Sequence, residues 1–272
     1  MVSMEYVKNF IYGALVGIAN AIPGVSGGTM AVILNIYDKI LYAVSLKNMK
    51  QHLQFLIPLA LGAVSGVFAL SNVIVSLLNS HAMLLNFCFI GLVLGSIPAI
   101  YKKARDQKTK SRNVILGVIA FAFMIFISYL NQGEISNKSL TDFGGISVTL
   151  CLWLFAAVGI STIAMILPGI SGSLMMLLFG VYAVVMEAVA DLNFLLMIPI
   201  GIGVLAGLFI GVKVIKKMLR FHPQALYFII LGLVAGSIFA IYPGFVPSLE
   251  GYLSLGGLAA FGLLAYFLSS RK

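Results

Sequence analysis

Two short stretches hold the residue types and spacing that could do chemistry. They are Ile22-Pro23-Gly24-Val25-Ser26-Gly27-Gly28-Thr29 and its echo Leu167-Pro168-Gly169-Ile170-Ser171-Gly172-Ser173. A Pro-Gly pair interrupts a helix, because proline lacks an N–H and glycine reaches backbone conformations closed to other residues. The serine that follows can cap a new helix whose first N–H groups then face the gap. Backbone N–H groups and hydroxyls around a gap make a cradle for an anion. The candidate ligands are Asn20, Pro23, Gly24, Ser26, Gly27, Gly28 and Thr29 in the first copy, and Pro168, Gly169, Ser171, Gly172 and Ser173 in the second. The plainer reading of the same residues is helix capping and close helix packing. Asn20 precedes only the first break, with Met165 in its place before the second, so any role it has is asymmetric.

Few other side chains compete for a role. Glu187, His81 and His222 are the candidates for proton coupling, against a default position at the membrane interface. Asp38 and Lys39 read as interfacial, and the repeated Tyr37 and Tyr182 as structural aromatics. Cys88 and Cys151 both lie in apolar segments and form no ligand cluster. The sequence offers no catalytic set, metal site or cofactor motif.

The surrounding elements must bury these breaks. The 272 residues are 61% hydrophobic and 9% charged, against roughly 25% charged in globular proteins. Mean hydropathy is +1.09. Long continuous apolar runs point to an all-α polytopic membrane protein rather than an alternating barrel. In lipid, irregular backbone survives only inside protein or beside a wet cavity. Lys8 followed by an apolar stretch and Ala19-Asn20-Ala21 imitates a cleavable signal, but the second half repeats this region, so the segment is expected to be retained.

Shifting the chain by 145 lays Pro23-Gly24-Val25-Ser26-Gly27 on Pro168-Gly169-Ile170-Ser171-Gly172. A shift of 141 then lays Gly62, Gly66, His81, Gly91 and Gly95-Ser96-Ile97 on Gly203, Gly207, His222, Gly232 and Gly236-Ser237-Ile238. This is an internal duplication. The expected first repeat is 1–131, with a broken or re-entrant hairpin at 6–44 and spans at 53–78, 83–101 and 113–130. The second is 145–270, with a hairpin at 145–190 and spans at 194–214, 224–242 and 252–269. All form a single transmembrane domain. A hairpin returns to its own side, so three further spans leave each repeat on the opposite side, and the second repeat is expected to be inverted. With both termini cytoplasmic, the inner side takes 16 of the 17 basic residues, leaving only Lys138 outside. The +9 charge therefore reads as membrane topology and attraction to anionic lipid, not as a nucleic-acid patch.

Inverted repeats with broken helices are a transporter architecture, in which the breaks meet near the midplane and form the substrate site. The Gly62/Gly66, Gly91/Gly95, Gly203/Gly207/Gly211 and Gly232/Gly236 stripes read as close helix contacts.

The segment from Asn20 to Thr29, the second motif from Leu167 to Gly172 and the hairpins that carry them resemble one bacterial family, the polyprenyl-phosphate (undecaprenyl-phosphate) transporters. The resemblance covers nearly the whole chain. It implies movement of undecaprenyl phosphate, or a related polyprenyl phosphate, from the outer to the inner leaflet of the bacterial cytoplasmic membrane, recycling the lipid carrier of cell-wall synthesis. The substrate is implied by the resemblance alone. Membrane lipids are the other expected partners, and the oligomeric state stays open. Two further classes share the pattern. One is a transporter or channel for another anion. The other is an undecaprenyl-diphosphatase-like enzyme, whose motif continues Pro-Gly-x-Ser-Arg-Ser; here Gly27 and Gly28 replace the arginine and second serine, which disfavours hydrolysis.

Overall fold

A computed structural model describes residues 2–21, 26–44, 49–105, 109–132 and 139–270. The regular structure of these residues is all helical, with no strand among them. In chain order the helices are α1 (Val2–Ala21), α2 (Gly27–Ile33), α3 (Tyr37–Ala43), α4 (Leu53–Arg105), α5 (Ser111–Gln132), α6 (Val148–Ile166), α7 (Gly172–Leu178), α8 (Tyr182–Ala190), α9 (Phe194–Phe221), α10 (Pro223–Ile241) and α11 (Leu249–Ser270). Short 3₁₀ turns occupy Met49–His52 and Thr141–Phe143. Among the described residues, seven helices are long and apolar enough to cross a membrane. Six of them lie in α4 (two), α5, α9, α10 and α11; the seventh is α6, the entering arm of the second hairpin. This is a polytopic all-α membrane protein.

The connections between the first and second spans are shorter than the sequence suggests. In place of a loop near 79–82, α4 is broken at a single residue, His81, with φ −141° and ψ 49°. In the second half α9 runs on through its basic turn to Phe221, and His222 alone, at φ −138° and ψ 52°, separates it from α10. Pro223 at the first position of α10 is well placed, since the N–H it lacks would have no helical partner. The hairpin turns also recur: Ile36 and Val181 both have φ −111°, preceded by Asn35 at φ 56° and Gly180 at φ 67°.

Glycines set the helix pairs. A Cβ on Gly13 or Gly17 would lie 2.0–2.1 Å from the carbonyl oxygens of Leu59 and Ala63, so α1 and the first arm of α4 touch backbone to backbone. Gly203 and Gly207 do the same for α9 against Phe155 and Gly159 of α6. The remaining pairs exchange partners between the two parts of the chain. Gly91 and Gly95 on the second arm of α4 seat α11 at Leu258 and Gly262. Gly232 and Gly236 on α10 seat α5 at Gly117 and Phe121. Between these pairs, Phe89, Ile90 and Val93 of α4 share one buried cluster with Leu226, Ile230 and Val234 of α10.

Polar contacts sort the ends of the bundle. At one end Lys39 pairs with Glu5 (3.7 Å), Lys103 with Asp38 (2.8 Å), Lys216 lies over the Tyr42 ring (4.9 Å), and the Lys110 N–H reaches Gln224 Oε1 (3.2 Å). At the other end of α11, Glu250 meets His81. The first hairpin thus comes back to where it started, α3 lying beside the beginning of α1. The second does likewise: α7 and α8 meet at a bend of 116°, Trp153 Nε1 donates to the Phe179 carbonyl, and the Leu140 N–H donates to Glu187. Large apolar side chains such as Val118, Ile119, Phe126, Ile198, Leu263 and Phe267 are exposed on the outer faces, a surface suited to lipid rather than water.

Candidate functional site

The helix start that follows the first break is capped by side chains from both sides of it. The Gly28 N–H donates to Ser26 Oγ (3.1 Å), and the Gly27 N–H donates to Asn20 Oδ1 (2.8 Å), so a carboxamide from the end of α1 caps α2 across the gap. Gly27 is required for this fit, since a Cβ there would sit 2.4 Å from Asn20 Nδ2. Ser26 and Thr29 are 3% and 2% exposed, so the expected phosphate donors of this copy are engaged inside the protein. Pro23 and Gly24 lie outside the described residues.

At the second break Met165 takes the place of Asn20, and its sulfur comes 3.1 Å from where a Cβ of Gly172 would be. A thioether gives no comparable cap. The Ser171 side chain makes no capping bond to α7 either; its hydroxyl pairs with that of Ser173 at 2.8 Å, and both residues are half-buried. The helix start after the first break is therefore capped and buried, and the one after the second is hydroxyl-lined and more open.

The flanks of the two breaks touch. The Gly169 N–H donates to Thr29 Oγ1 at 2.9 Å in a buried bond, and a Cβ on Gly28 would lie 3.3 Å from Pro168 Cα. Gly169 sits at φ +96°, in the region that favours glycine, with Leu233 backbone 2.6 Å from its Cβ position. Tyr37 adds a third link: its hydroxyl donates to the Ile166 carbonyl (3.1 Å) at the end of α6, a group left without a helical partner by the break. Repeated aromatics read as merely structural thus include one that ties the two hairpins. The result is a junction of backbone and hydroxyl groups with no formal charge.

Beside it lies a cluster the sequence reading treats as interfacial. Asp38, at the start of α3, accepts from Lys103 Nζ of α4 (2.8 Å) and from the Tyr227 hydroxyl of α10, which reaches both carboxylate oxygens (2.8 and 2.7 Å). Lys103 also lies 5.5 Å from the centre of the Tyr227 ring. Only the tendency of an acid near apolar spans to seek a cation could have signalled it, and the partners are 65 and 189 residues away.

The coupling candidates stand apart from the junction. Glu187, in the last part of α8, accepts from the Leu140 N–H at 3.0 Å. His81 is half-exposed at 3.8 Å from Glu250, and His222 is the non-helical residue between α9 and α10.

Comparison with known proteins supplies the family. The family model described as undecaprenyl phosphate translocase-like matches residues 16–249, which include both Pro-Gly motifs. The chain belongs to that family. Within the translocase-like family, the chain is 36% identical over 247 residues to a protein of Staphylococcus aureus named polyprenyl-phosphate transporter, covering 87% of this chain and 86% of that one. A polyprenyl-phosphate transporter of Vibrio cholerae is 29% identical over 258 residues, covering 89% and 79%. No solved structure matches. The translocase-like family and these relatives are named for transport, so the chain is a transporter and not a diphosphatase.

Proposed function

We propose that this protein carries undecaprenyl phosphate, or a closely related polyprenyl phosphate, from the outer to the inner leaflet of the bacterial cytoplasmic membrane. The names of the family and of both relatives supply the lipid class. The observation that carries the site is the Thr29–Gly169 bond, because it makes the two Pro-Gly-x-Ser breaks one junction. The head group is held there by the Ser171 and Ser173 hydroxyls and the open first turn of α7, with its tail in lipid. Full engagement of the first break requires Asn20 to leave Gly27. A junction with dipoles but no fixed cation suits a carrier, which must release what it holds; a buried Arg or Lys would itself cost roughly 2.5 kcal/mol or more at mid-membrane.

In this reading the chain is two inverted repeats, 1–131 and 145–270, with both termini cytoplasmic and the lysine-rich end facing the cytoplasm. The return of each hairpin to its own end supports it. The moving parts are α1 to α3 with the first arm of α4, and α6 to α9, sliding about the four helices that exchange partners. Any proton coupling falls to His81, His222 or Glu187.

The test is reconstitution in liposomes with a labelled polyprenyl phosphate in the outer leaflet. Protein-dependent loss from that leaflet, slowed in Ser171→Ala with Ser173→Ala, is expected. Transport of inorganic phosphate without the lipid would make the chain a carrier of another anion.

A further inference from the structure

We propose that the cavity of about 470 Å³ at the lysine-rich end, between the end of α2, the second arm of α4 and the end of α11, is a second site for the phosphate monoester head group of a lipid. The inference rests on the proposed function and gives the lipid a place to pause between the junction and the membrane surface.

The lining has the chemistry of such a ligand. Lys102 and Lys103 face the cavity with Asn35, and no Asp or Glu lines it. Lys103 directs one N–H to Asp38 and keeps two, while among the described residues no ion pair holds Lys102. Asp38 offsets roughly one of the two positive charges, so an anion is attracted but not trapped. Ser269 uses its hydroxyl hydrogen on the Tyr266 carbonyl (3.2 Å), which leaves the lysines, Asn35 and Ser270 as the side-chain donors. Val32, Pro98 and Tyr266 supply apolar walls beside the cations. A free phosphate ion has no use for such walls, whereas the first carbons of a lipid chain do. The volume lies within the roughly 300–1,000 Å³ of ordinary ligand sites.

Two further observations place the cavity on a path. Asn35 holds the left-handed conformation that Gly180 holds in the second hairpin, so here the turn keeps a side chain where glycine would serve, and that side chain lines the cavity. The cavity is also joined to the junction by one short helix. Ser26 and Thr29 lie at the start of α2 and Val32 and Asn35 at its end, about 13 Å along a helical rise of about 1.5 Å per residue.

The experiment is photolabelling of the full chain in nanodiscs with a diazirine-bearing farnesyl phosphate, followed by peptide mapping. Labelling is expected both near Ser171 and within residues 266–270. Lys102→Gln and Asn35→Gly each lower the second signal about three- to tenfold, the range for losing one charge-assisted contact, and leave the first unchanged. Asn35→Gly takes the turn without strain and guards against misfolding. Label confined to the junction, or cavity label unmoved by both variants, overturns the second site and spares the proposed function. Label in the cavity alone keeps the second site and overturns the junction as the carrier site. Label at neither overturns both. Inorganic phosphate that competes as well as farnesyl phosphate makes the cavity a site for the free ion and overturns its assignment to lipid.

Discussion

Thr29 and Gly169, 140 positions apart in the chain, are joined by a buried 2.9 Å hydrogen bond. It is the shortest description of how two separated helix breaks become one junction. Thr29→Val keeps the shape and removes the acceptor, leaving a buried N–H unpaired at a cost of about 1–3 kcal/mol. Thr29→Ser keeps the acceptor. Thermal unfolding in detergent should rank Ser close to wild type and Val well below. Equal melting of all three would show that the bond contributes nothing.

The asymmetry between Asn20 and Met165 leads to a reciprocal pair. Asn20→Met removes the cap from Gly27 and should cost about 0.5–2 kcal/mol, the usual value of an N-cap. Met165→Asn places a carboxamide beside Gly172 and caps the open break. That variant should be more stable yet slower in a lipid-flipping assay. Faster transport by Met165→Asn would mean the open break is not where the head group lodges.

Asp38 serves two partners of different kinds. The Lys103 pair is over a third exposed on both sides and contributes at most about 1 kcal/mol. Tyr227 is 8% exposed, so losing its acceptor costs about 1–3 kcal/mol. Asp38→Ala should therefore destabilise more than Lys103→Ala. High salt should shrink the lysine effect and leave most of the Asp38 effect, as denaturation at low and 1 M salt would reveal.

Glycines divide by what lies beside them. Gly232 faces the Gly117 carbonyl oxygen 2.0 Å from its Cβ position, while Gly201 has nothing within 4 Å. Gly232→Ala forces α10 and α5 apart and should destabilise by about 1–3 kcal/mol through overpacking. Gly201→Ala should be neutral or stabilising by up to about 1 kcal/mol, from helix propensity. Melting temperatures of the two variants decide.

The all-helical membrane architecture was legible because long apolar runs, Pro-Gly pairs and glycine spacing are local signals. The cap by Asn20 was half visible: its asymmetry could be read from Met165 at the matching position, its partner could not. Long-range pairs such as Asp38 with Tyr227, or Tyr37 with Ile166, leave no local trace, since any acid or tyrosine near a span end reads as interfacial. The hinges at His81 and His222 hid for another reason. No Gly or Pro lies beside His81, and although Pro223 follows His222, a break of one residue looks in sequence like a longer loop between two spans.

The exchange of partners by α11 and α5 bears on how the protein is made. Gly91 and Gly95 find their backbone neighbours at Leu258 and Gly262, more than 160 residues later. While the ribosome is still producing the second half, the glycine face of α4 has no native helix to cover it. Insertion of the early helices must precede their assembly, and release of the chain into its working form waits for α11 to enter the bilayer.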